Sequence, residues 1–367
     1  MAQPVSHLDR ALRTFFVLLL IIAAVLGLTE ALMRAIFDQP LKPYTPNSLY
    51  HASRTPNFSA NKVCVEDGTR FDYVIDPLGF RGKNMKETKK PAGKYRIFFV
   101  GASTTENQHL PEEKTFPGLV EEKLRARGVN AEVANCGIAG QGIARSLALI
   151  VHRLLELEPD LIVLLEGEND LVQSFDDRWD STHAPVNLEK LTFKDWLVTK
   201  SRLVAVLDAP GEVDMRPFFE KRRKDAEKNP CNVPPGLDVH RGLPSFERYL
   251  RRIAVVCDDA KVPLVLMTQP TLWKEENSPE ERAAMWMSNC PPHGAHVDPK
   301  TCAALMAEYN DAVRRAAQGH VLVDLDRIVL HDLQHFYDDA HMNVKTNVLV
   351  ADAVVAAVSS SGLLPAR

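Results

Sequence analysis

The chain has 367 residues, of which 45% are hydrophobic and 25% are charged, so it can bury a large core in one sizeable domain with insertions or in two domains. Its formal net charge of −4 argues against nucleic acid as the main partner, because binding to phosphates needs concentrated positive charge. Six cysteines fit an exported protein without requiring a disulfide scaffold, and Cys290 and Cys302, which bracket a proline-rich loop, are a candidate pair.

The N-terminal region carries an unbroken apolar run at residues 15–28, preceded by Arg10 and Arg13. Apolar character continues past Glu30, so a helix long enough to cross a membrane is possible if Glu30 lies near the interface. Neither a clear cleavage site nor a lipobox-like cysteine follows. We predict that residues 1–38 are a cytoplasmic tip and an uncleaved signal anchor, with the rest of the chain periplasmic or extracellular. A cleaved secretory signal is the alternative.

The next region, residues 39–94, is predicted to be a linker and an N-terminal extension. Residues 39–57 carry four prolines and several polar residues, which is typical of a linker. Residues 64–82 are compatible with a short β-hairpin, and a lysine-rich polar connection follows it.

From Tyr95 onward, apolar strand patterns alternate with helical patterns. The predicted strands are residues 96–100, 131–135, 161–165, 262–267 and 321–324, and the predicted helices are residues 116–127, 143–157, 246–260, 303–317 and 348–359. A long polar insertion at about 172–244, with a helix-like stretch at 218–228, interrupts them. Such alternation, with continuously apolar strands, indicates a parallel sheet covered on both faces. We therefore predict an α/β fold for residues 95–367, a three-layer α/β/α sandwich with a five-stranded parallel sheet of the flavodoxin-like type.

Polar residues follow several of the predicted strands, and in a parallel sheet they gather at one edge. Ser103 follows the first strand, Gly140 the second and Asn169 the third, whereas Asp338 and His341 come after the fifth. A serine nucleophile needs a base, the base needs a carboxylate, and the tetrahedral intermediate needs preorganised donors for its oxyanion. These residue types together indicate serine acyl transfer, although Ser103 alone could simply cap a helix.

Four blocks in this order resemble those of the SGNH (GDSL-type) hydrolase superfamily, and in particular its membrane-attached bacterial members. The blocks are Gly101-Ala-Ser103-Thr-Thr105, Gly140, Gly167-Glu-Asn169-Asp170 and Asp338-Asp-Ala-His341. The resemblance implies that Ser103 is the nucleophile, His341 the general base and Asp338 its orienting carboxylate. It also implies an oxyanion hole made of the Ser103 N–H, Gly140 and Asn169.

Three positions depart from the pattern of the superfamily. Ala102 replaces the usual aspartate before the serine, and Thr346 replaces a glycine often found after the histidine. Asp339 adjoins the predicted carboxylate and could take its role. His331 and His335 are nearby competitors for the role of base.

Other chemistries are weaker interpretations of the same residues. Glu166 and Glu168 could suggest paired-carboxylate glycosidase chemistry, but they are two residues apart on a loop and the serine block would be unexplained. His293, His296 and Cys290 faintly suggest a metal site without a compact fourth ligand. We therefore predict neither a metal nor a cofactor.

The leading functional hypothesis is a serine esterase that hydrolyses an O-acyl ester, foremost acetyl, through an acyl-serine intermediate. Export and tethering suggest an acylated envelope glycan or lipid as the substrate, with the membrane as the other partner. An O-acyltransferase acting on extracellular polysaccharide is the nearest alternative, since the same groups can pass an acyl group to a sugar hydroxyl. A non-catalytic glycan-binding module is the alternative from a different class.

Overall fold

The computed structural model describes residues 7–36, 44–47, 51–181, 197, 200–208, 213–228, 231–287 and 294–365. The chain begins with one long helix, α1 (His7–Ile36). Its part from Arg10 to Ile36 has a mean hydropathy of 2.6 over its most apolar window, and none of that window is buried. The helix is therefore long and apolar enough to cross a membrane, although a secretory signal has the same features.

Two antiparallel hairpins follow α1. The strands of the first are β1 (Tyr44–Asn47) and β2 (His51–Arg54), and those of the second are β3 (Ser59–Val63) and β4 (Arg70–Val74). The first hairpin lies within residues 39–57, where the prolines indicated a linker. The second begins at Ser59, before the predicted residues 64–82. Its turn lies between the strands, where the side chain of Asp67 accepts the backbone N–H and the hydroxyl of Thr69 at 2.9 and 2.6 Å.

The main sheet has five parallel strands, as predicted. They are β5 (Tyr95–Gly101), β6 (Ala131–Asn135), β7 (Leu161–Leu165), β8 (Leu264–Met267) and β9 (Val321–Val323). Their order across the sheet is β6-β5-β7-β8-β9, and every residue of β5 to β8 is buried. The chain first moves from β5 to one side and then crosses back to β7, so the carboxyl ends of β5 and β7 form a switch point where ligands bind in such folds.

Helices lie on both faces of this sheet, and others lie in its connections and in the polar insertion. In chain order they are α2 (Ser103–Glu106), α3 (Phe116–Ala126), α4 (Ile143–Leu149), α5 (Glu168–Gln173), α6 (Arg202–Asp208), α7 (Arg216–Lys228), α8 (Leu243–Asp259), α9 (Pro279–Ala284), α10 (Pro299–Ala316), α11 (Leu325–Ile328) and α12 (Val344–Ser360). Helix α3 packs on α12, whereas α8 packs on both α4 and α10. Right-handed crossovers in opposite directions place these two groups on opposite faces, which makes the three-layer sandwich. Helices α6 and α7 belong to the polar insertion.

Several helices begin or end at other residues than predicted, and the local reason is clear for two of them. The last helix begins at Val344 instead of 348, because Asn343 caps it by accepting the backbone N–H of Thr346 at 3.0 Å. Thr346 thus fits the first turn of the helix. The helix predicted at 143–157 is α-helical only to Leu149 and continues as a π turn and a 3₁₀ turn, which end at Glu158 in the left-handed conformation.

Candidate active site

Ser103 is the first residue of α2, just after β5 ends at Gly101. A side chain at Gly101 would not fit, because a Cβ there would lie 2.4 Å from the carbonyl oxygen of Leu165 and 2.2 Å from Oγ1 of Thr105. Gly101 therefore packs directly against the end of β7, and Ser103 follows it at the carboxyl edge of the sheet. Ser103 is 8% exposed, whereas its neighbour Ala102 is fully buried and offers no polar side chain.

His341 and Asp338 form a buried hydrogen-bonded pair. Nδ1 of His341 lies 2.8 Å from Oδ2 and 2.9 Å from Oδ1 of Asp338. Asp338 Oδ1 also accepts the backbone N–H groups of Ala340 and His341, so the turn itself holds the carboxylate. Burial alone would lower the pKa of His341, but the Asp338 carboxylate raises it above its ordinary 6.5. Within the described part of the chain Nε2 of His341 has no hydrogen-bond partner, which leaves this nitrogen available to a reacting group.

Asp339, the neighbouring carboxylate, contacts other groups. Its Oδ1 accepts from Nε1 of Trp273 at 2.8 Å, and its Oδ2 accepts the backbone N–H groups of Trp286 and Met287 at 2.6 and 2.9 Å. Burial raises the pKa of Asp339 to about 6. Asp339 therefore fixes the loop that carries Trp286, and Asp338 is the carboxylate on the histidine.

The spacing of Asp338 and His341 occurs a second time nearby, in Asp332 and His335. Nδ1 of His335 lies 2.7 Å from Oδ1 of Asp332, but the Asp332 side chain is 34% exposed and the Asp338 side chain is fully buried. His331, the other competitor, is held through Nδ1 at 2.6 Å from a backbone carbonyl oxygen. Spacing alone thus does not select one histidine, and burial of the carboxylate distinguishes them.

The loop at residues 137–142 and helix α5 carry the two predicted oxyanion donors, Gly140 and Asn169. Gln173 of α5 donates from Nε2 to the carbonyl oxygen of Gly140 at 2.9 Å. Asp170 accepts the backbone N–H of Ile143, the residue after the loop, and the nitrogen lies 3.2 and 3.1 Å from its two carboxylate oxygens. Gly140 has a φ of 74°, in the left-handed region that favours glycine. These bonds tie the position of Gly140 to the helix that carries Asn169.

Glu168 is a buried carboxylate between the serine and histidine sides of the site. Its Oε1 accepts from Nδ2 of Asn169 at 3.1 Å, and its Oε2 has no hydrogen-bond partner among the described residues. Burial raises the pKa of Glu168 to about 7, and its charge helps to raise that of His341. A carboxamide has two N–H donors, so the bond to Glu168 orients Asn169 and leaves one donor for a ligand.

The groups behind the two alternative chemistries are arranged differently. Glu166 Oε1 accepts from the hydroxyl of Ser146 at 2.5 Å, whereas Glu168 accepts from Asn169, so the two glutamates do not act as a pair. Of the faint metal set, Cys290 and His293 lie outside the described residues. Among the residues that the structure describes, no group of three or more His, Cys, Asp or Glu side chains is arranged to hold a metal ion. Cys302, the suggested partner of Cys290, is buried and forms no disulfide with any of the described residues, so its pairing with Cys290 stays a prediction.

Aromatic side chains enclose the ring of His341. Tyr337 stacks on it with ring centroids 5.6 Å apart and an interplanar angle of 9°. Phe219 of α7 contacts it edge-on at 6.3 Å, and His109 does so at 5.9 Å. The insertion therefore contributes helix α7 to the wall of the site, with Phe219 as the buried contact.

Trp286 lies at the site, where the sequence indicated only a tryptophan that could line a pocket or pack in the core. Its Nε1 donates to Oδ2 of Asp338 at 3.1 Å, although the two residues are 52 positions apart. Its ring lies 6.2 and 6.1 Å from the rings of Phe218 and Phe219, and the guanidinium of Arg222 lies 5.6 Å from its centre. Trp286 thus connects the carboxylate on the histidine to helix α7, and no local motif marks this role.

A model of the GDSL-like lipase/acylhydrolase family matches residues 99–347. An arylesterase from Vibrio mimicus is 29% identical over 80 residues, which are 22% of this chain and 40% of that protein. The chain thus matches less than half of the length of this curated relative. Among solved structures, the acetyl xylan esterase AlAXEase has 18% identity and a TM-score of 0.41, over 72% of this chain and 99% of its own. Axe2, an acetylxylan esterase from Geobacillus stearothermophilus, has 15% identity and a TM-score of 0.43, over 74% of this chain and 97% of its own.

The family match spans well over half of the chain and runs from β5 to the first turn of α12, so that Ser103, Asn169 and the Asp338–His341 pair all lie within it. The chain therefore belongs to the GDSL-like lipase/acylhydrolase family.

Proposed function

We propose that the chain is a serine esterase, with Ser103 as nucleophile, His341 as general base and Asp338 as its orienting carboxylate. The observation that carries the proposal is the buried His341–Asp338 pair. The Nδ1 of the imidazole is bonded to a carboxylate, and Nε2 has no partner among the described residues. A carboxylate on Nδ1 selects the tautomer in which Nε2 can accept a proton from a serine.

In the acylation step, Nε2 of His341 takes the proton of the Ser103 hydroxyl as Oγ attacks the ester carbonyl carbon. The oxygen of that carbonyl becomes an oxyanion, and the N–H groups of Ser103 and Gly140 together with Nδ2 of Asn169 donate to it. His341 then returns the proton to the leaving alcohol as the C–O bond breaks. Water repeats the sequence on the acyl-serine and releases the carboxylic acid.

The substrate is proposed to be a short O-acyl ester, foremost acetyl, of an envelope glycan or lipid. Ser103 is 8% exposed and His341 is 4% exposed, and aromatic rings enclose the histidine. So little open surface supports a small acyl group. The same exclusion of water would suit transfer of the acyl group to a sugar hydroxyl, which keeps an O-acyltransferase as the second candidate.

The full-length protein in detergent micelles tests this function. We expect it to release p-nitrophenol from p-nitrophenyl acetate at least about tenfold more efficiently, in kcat/KM, than from the octanoate, because the enclosed site disfavours the longer chain. A labelled acetyl donor, supplied with and without an O-deacetylated glycan, then measures whether the label reaches water or sugar. Label that appears mainly on the glycan would identify a transferase. Tight glycan binding without turnover of any ester would contradict both and favour a binding module.

Helix α1 is proposed to anchor the catalytic domain outside the membrane. The charged residue that interrupts its apolar run, Glu30, accepts from the hydroxyl of Ser201 and the backbone N–H of Arg202, both at 2.7 Å. Arg34 pairs with Glu30 at 2.7 Å and donates to the carbonyl oxygen of Lys200 at 2.8 Å. The polar end of α1 thus contacts the start of α6 in the insertion, as expected where an apolar helix leaves the membrane. The arginines before the apolar run support a cytoplasmic N-terminus.

A reporter that is active only outside the cytoplasm, fused after Arg367, tests this topology. We expect an active reporter that remains in the membrane fraction, because an uncleaved α1 would hold the chain there. A reporter active only in the cytoplasm would contradict the orientation. Active protein found in the soluble fraction, with a new N-terminus after α1, would identify α1 as a cleaved signal.

A further inference from the structure

Arg54, the last residue of β2, is buried against the candidate site although it lies outside the family match. It is 2% exposed, and its Nη2 lies 2.5 Å from Oε1 of Glu106 and donates to the carbonyl oxygen of Gly137 at 2.8 Å. Its Nη1 donates to the hydroxyl of Tyr73 in β4. One guanidinium therefore joins the N-terminal extension to helix α2, which begins with Ser103, and to the loop at 137–142.

Glu106 carries this contact on to the loop. Its Oε1 also accepts from the Tyr73 hydroxyl at 2.9 Å, and its Oε2 accepts the backbone N–H of Ala139 at 2.7 Å. Burial would raise the pKa of Glu106, but the charges of Arg54 and Lys62 hold it below its usual range. Glu106 is therefore ionised at neutral pH and binds the N–H of Ala139, the residue before Gly140, through a charge-assisted hydrogen bond.

The loop and α2 also touch through their backbones. A Cβ at Gly137 would lie 2.3 Å from the backbone nitrogen of Glu106 and 2.9 Å from the carbonyl oxygen of Ala102. Only a glycine allows this approach, and Arg54 and Glu106 bond to the loop at residue 137 itself and at residue 139. The nucleophile helix and the loop are thus held in one fixed relation.

We propose that Arg54 and Glu106 are positioning residues that hold the 137–142 loop against α2, so that the Gly140 N–H is aligned with the oxyanion formed at Ser103. The inference rests on the proposed esterase function. It assigns a role in catalysis to the N-terminal extension, which contains no residue of the four sequence blocks.

The contacts of Arg54 and Glu106 affect the geometry of the site more than the stability of the fold. A buried ion pair adds little net stability, because desolvation of both charges offsets their attraction, but it fixes orientation through its hydrogen bonds. Oxyanion donors act only if they are aligned before the reaction, and a shift of about 1 Å can cost about a hundredfold in rate. Because the oxyanion forms only in the transition state, misalignment lowers kcat and leaves KM nearly unchanged.

Two substitutions in the full-length protein test the proposal, with p-nitrophenyl acetate as the substrate. Arg54→Lys keeps a charge but cannot donate from one planar group to Glu106, Gly137 and Tyr73 together. Glu106→Gln removes the charge that binds the Ala139 N–H. We expect each to lower kcat by about tenfold to a hundredfold, with KM within about twofold of the wild type. Tyr73→Phe, which removes one hydroxyl only, is the milder variant if either substitution prevents folding, and a loss in kcat of about threefold is expected for it.

Arg96→Lys is the matched control. Arg96 is fully buried and pairs with Glu132 at 2.7 Å, but it lies at the opposite end of β5 from Ser103. This substitution is expected to lower the melting temperature without changing kcat of the folded protein. An equal loss of kcat in Arg96→Lys would mean that any buried ion pair in this domain affects the rate, and it would overturn the proposal.

Amide hydrogen exchange at Ala139 makes the inference testable apart from the esterase function. We expect protection of this amide in the wild type and at least about tenfold faster exchange in Glu106→Gln and Arg54→Lys. A wild-type protein without esterase activity would contradict the proposed function, whatever the exchange data show. An active wild type whose Arg54→Lys and Glu106→Gln variants both keep full kcat would overturn the positioning role alone.

Discussion

Replacement of Ser103 by alanine is expected to lower kcat for p-nitrophenyl acetate by about a thousandfold or more, because the acyl-enzyme can no longer form. The remaining rate should come from the oxyanion donors and substrate binding alone. The substitution removes only one oxygen from a residue that is 8% exposed, so the fold should be preserved. Steady-state kinetics, together with circular dichroism and a melting curve, measures the two effects separately.

Ser174→Ala is the matched control for this prediction. Ser174 is a fully buried serine whose hydroxyl donates to the carbonyl oxygen of Leu171 at 2.7 Å at the end of α5, and it is not among the proposed catalytic groups. Its loss should cost about 1 kcal/mol of stability and leave kcat within about twofold of the wild type. If Ser103→Ala kept more than a tenth of the wild-type kcat in pure protein, another residue would have to be the nucleophile.

Replacement of Asp338 by asparagine is expected to lower kcat by about a thousandfold, because the amide no longer holds His341 in the tautomer with a free Nε2. The pH dependence should change as well. The base must be neutral to act, so wild-type kcat/KM should rise with pH through the pKa of His341, which Asp338 holds above 6.5. Without the carboxylate, burial dominates and lowers that pKa. The rising limb of the profile should therefore move to lower pH in Asp338→Asn, while the plateau falls.

Asp339→Asn separates the two adjacent carboxylates. Asp339 accepts the backbone N–H groups of Trp286 and Met287 through Oδ2 and the indole N–H of Trp273 through Oδ1, so an amide whose oxygen keeps the two backbone donors leaves the Trp273 N–H without an acceptor. We expect a loss of about 1–3 kcal/mol in the free energy of unfolding and less than a tenfold loss in kcat. The pH profile should keep its wild-type midpoint. A larger effect on kcat from Asp339→Asn than from Asp338→Asn would reverse the assignment of the carboxylate.

The insertion between β7 and β8 affects the candidate site more directly than its polar sequence suggests. Phe219 of α7 lies against His341, and it also contacts Trp286, a residue outside the insertion that donates to Asp338. The start of α6 in turn contacts the polar end of α1 through Glu30. The insertion thus contacts both the proposed base and the proposed membrane anchor.

The sequence by itself determined the features that depend on neighbouring residues. A run such as Leu161–Leu165 has apolar side chains at every position, and only a strand covered on both faces buries all of them, so the strand and its layer could be predicted. Polar residues just after such strands must lie at the carboxyl edge of a parallel sheet. That rule predicts that Ser103, Gly140 and Asn169 lie at one edge of the sheet. The Asp338–His341 pair was predictable in the same way, since its contact is made within one turn.

Only the tertiary structure decided the contacts between residues that are far apart in the chain. Asp332 and His335 have the same spacing as Asp338 and His341, and the difference between the pairs lies in burial by distant elements. Two contacts each join residues 52 positions apart, and these are Arg54 with Glu106 and Trp286 with Asp338. No local sequence pattern predicts such contacts. Hydrophobic periodicity and capping act over a few residues, whereas buried hydrogen bonds between segments form only once the sheet and its insertions have packed. The identities of the proposed reacting groups can therefore be predicted from local sequence, and their positioning depends on the whole fold.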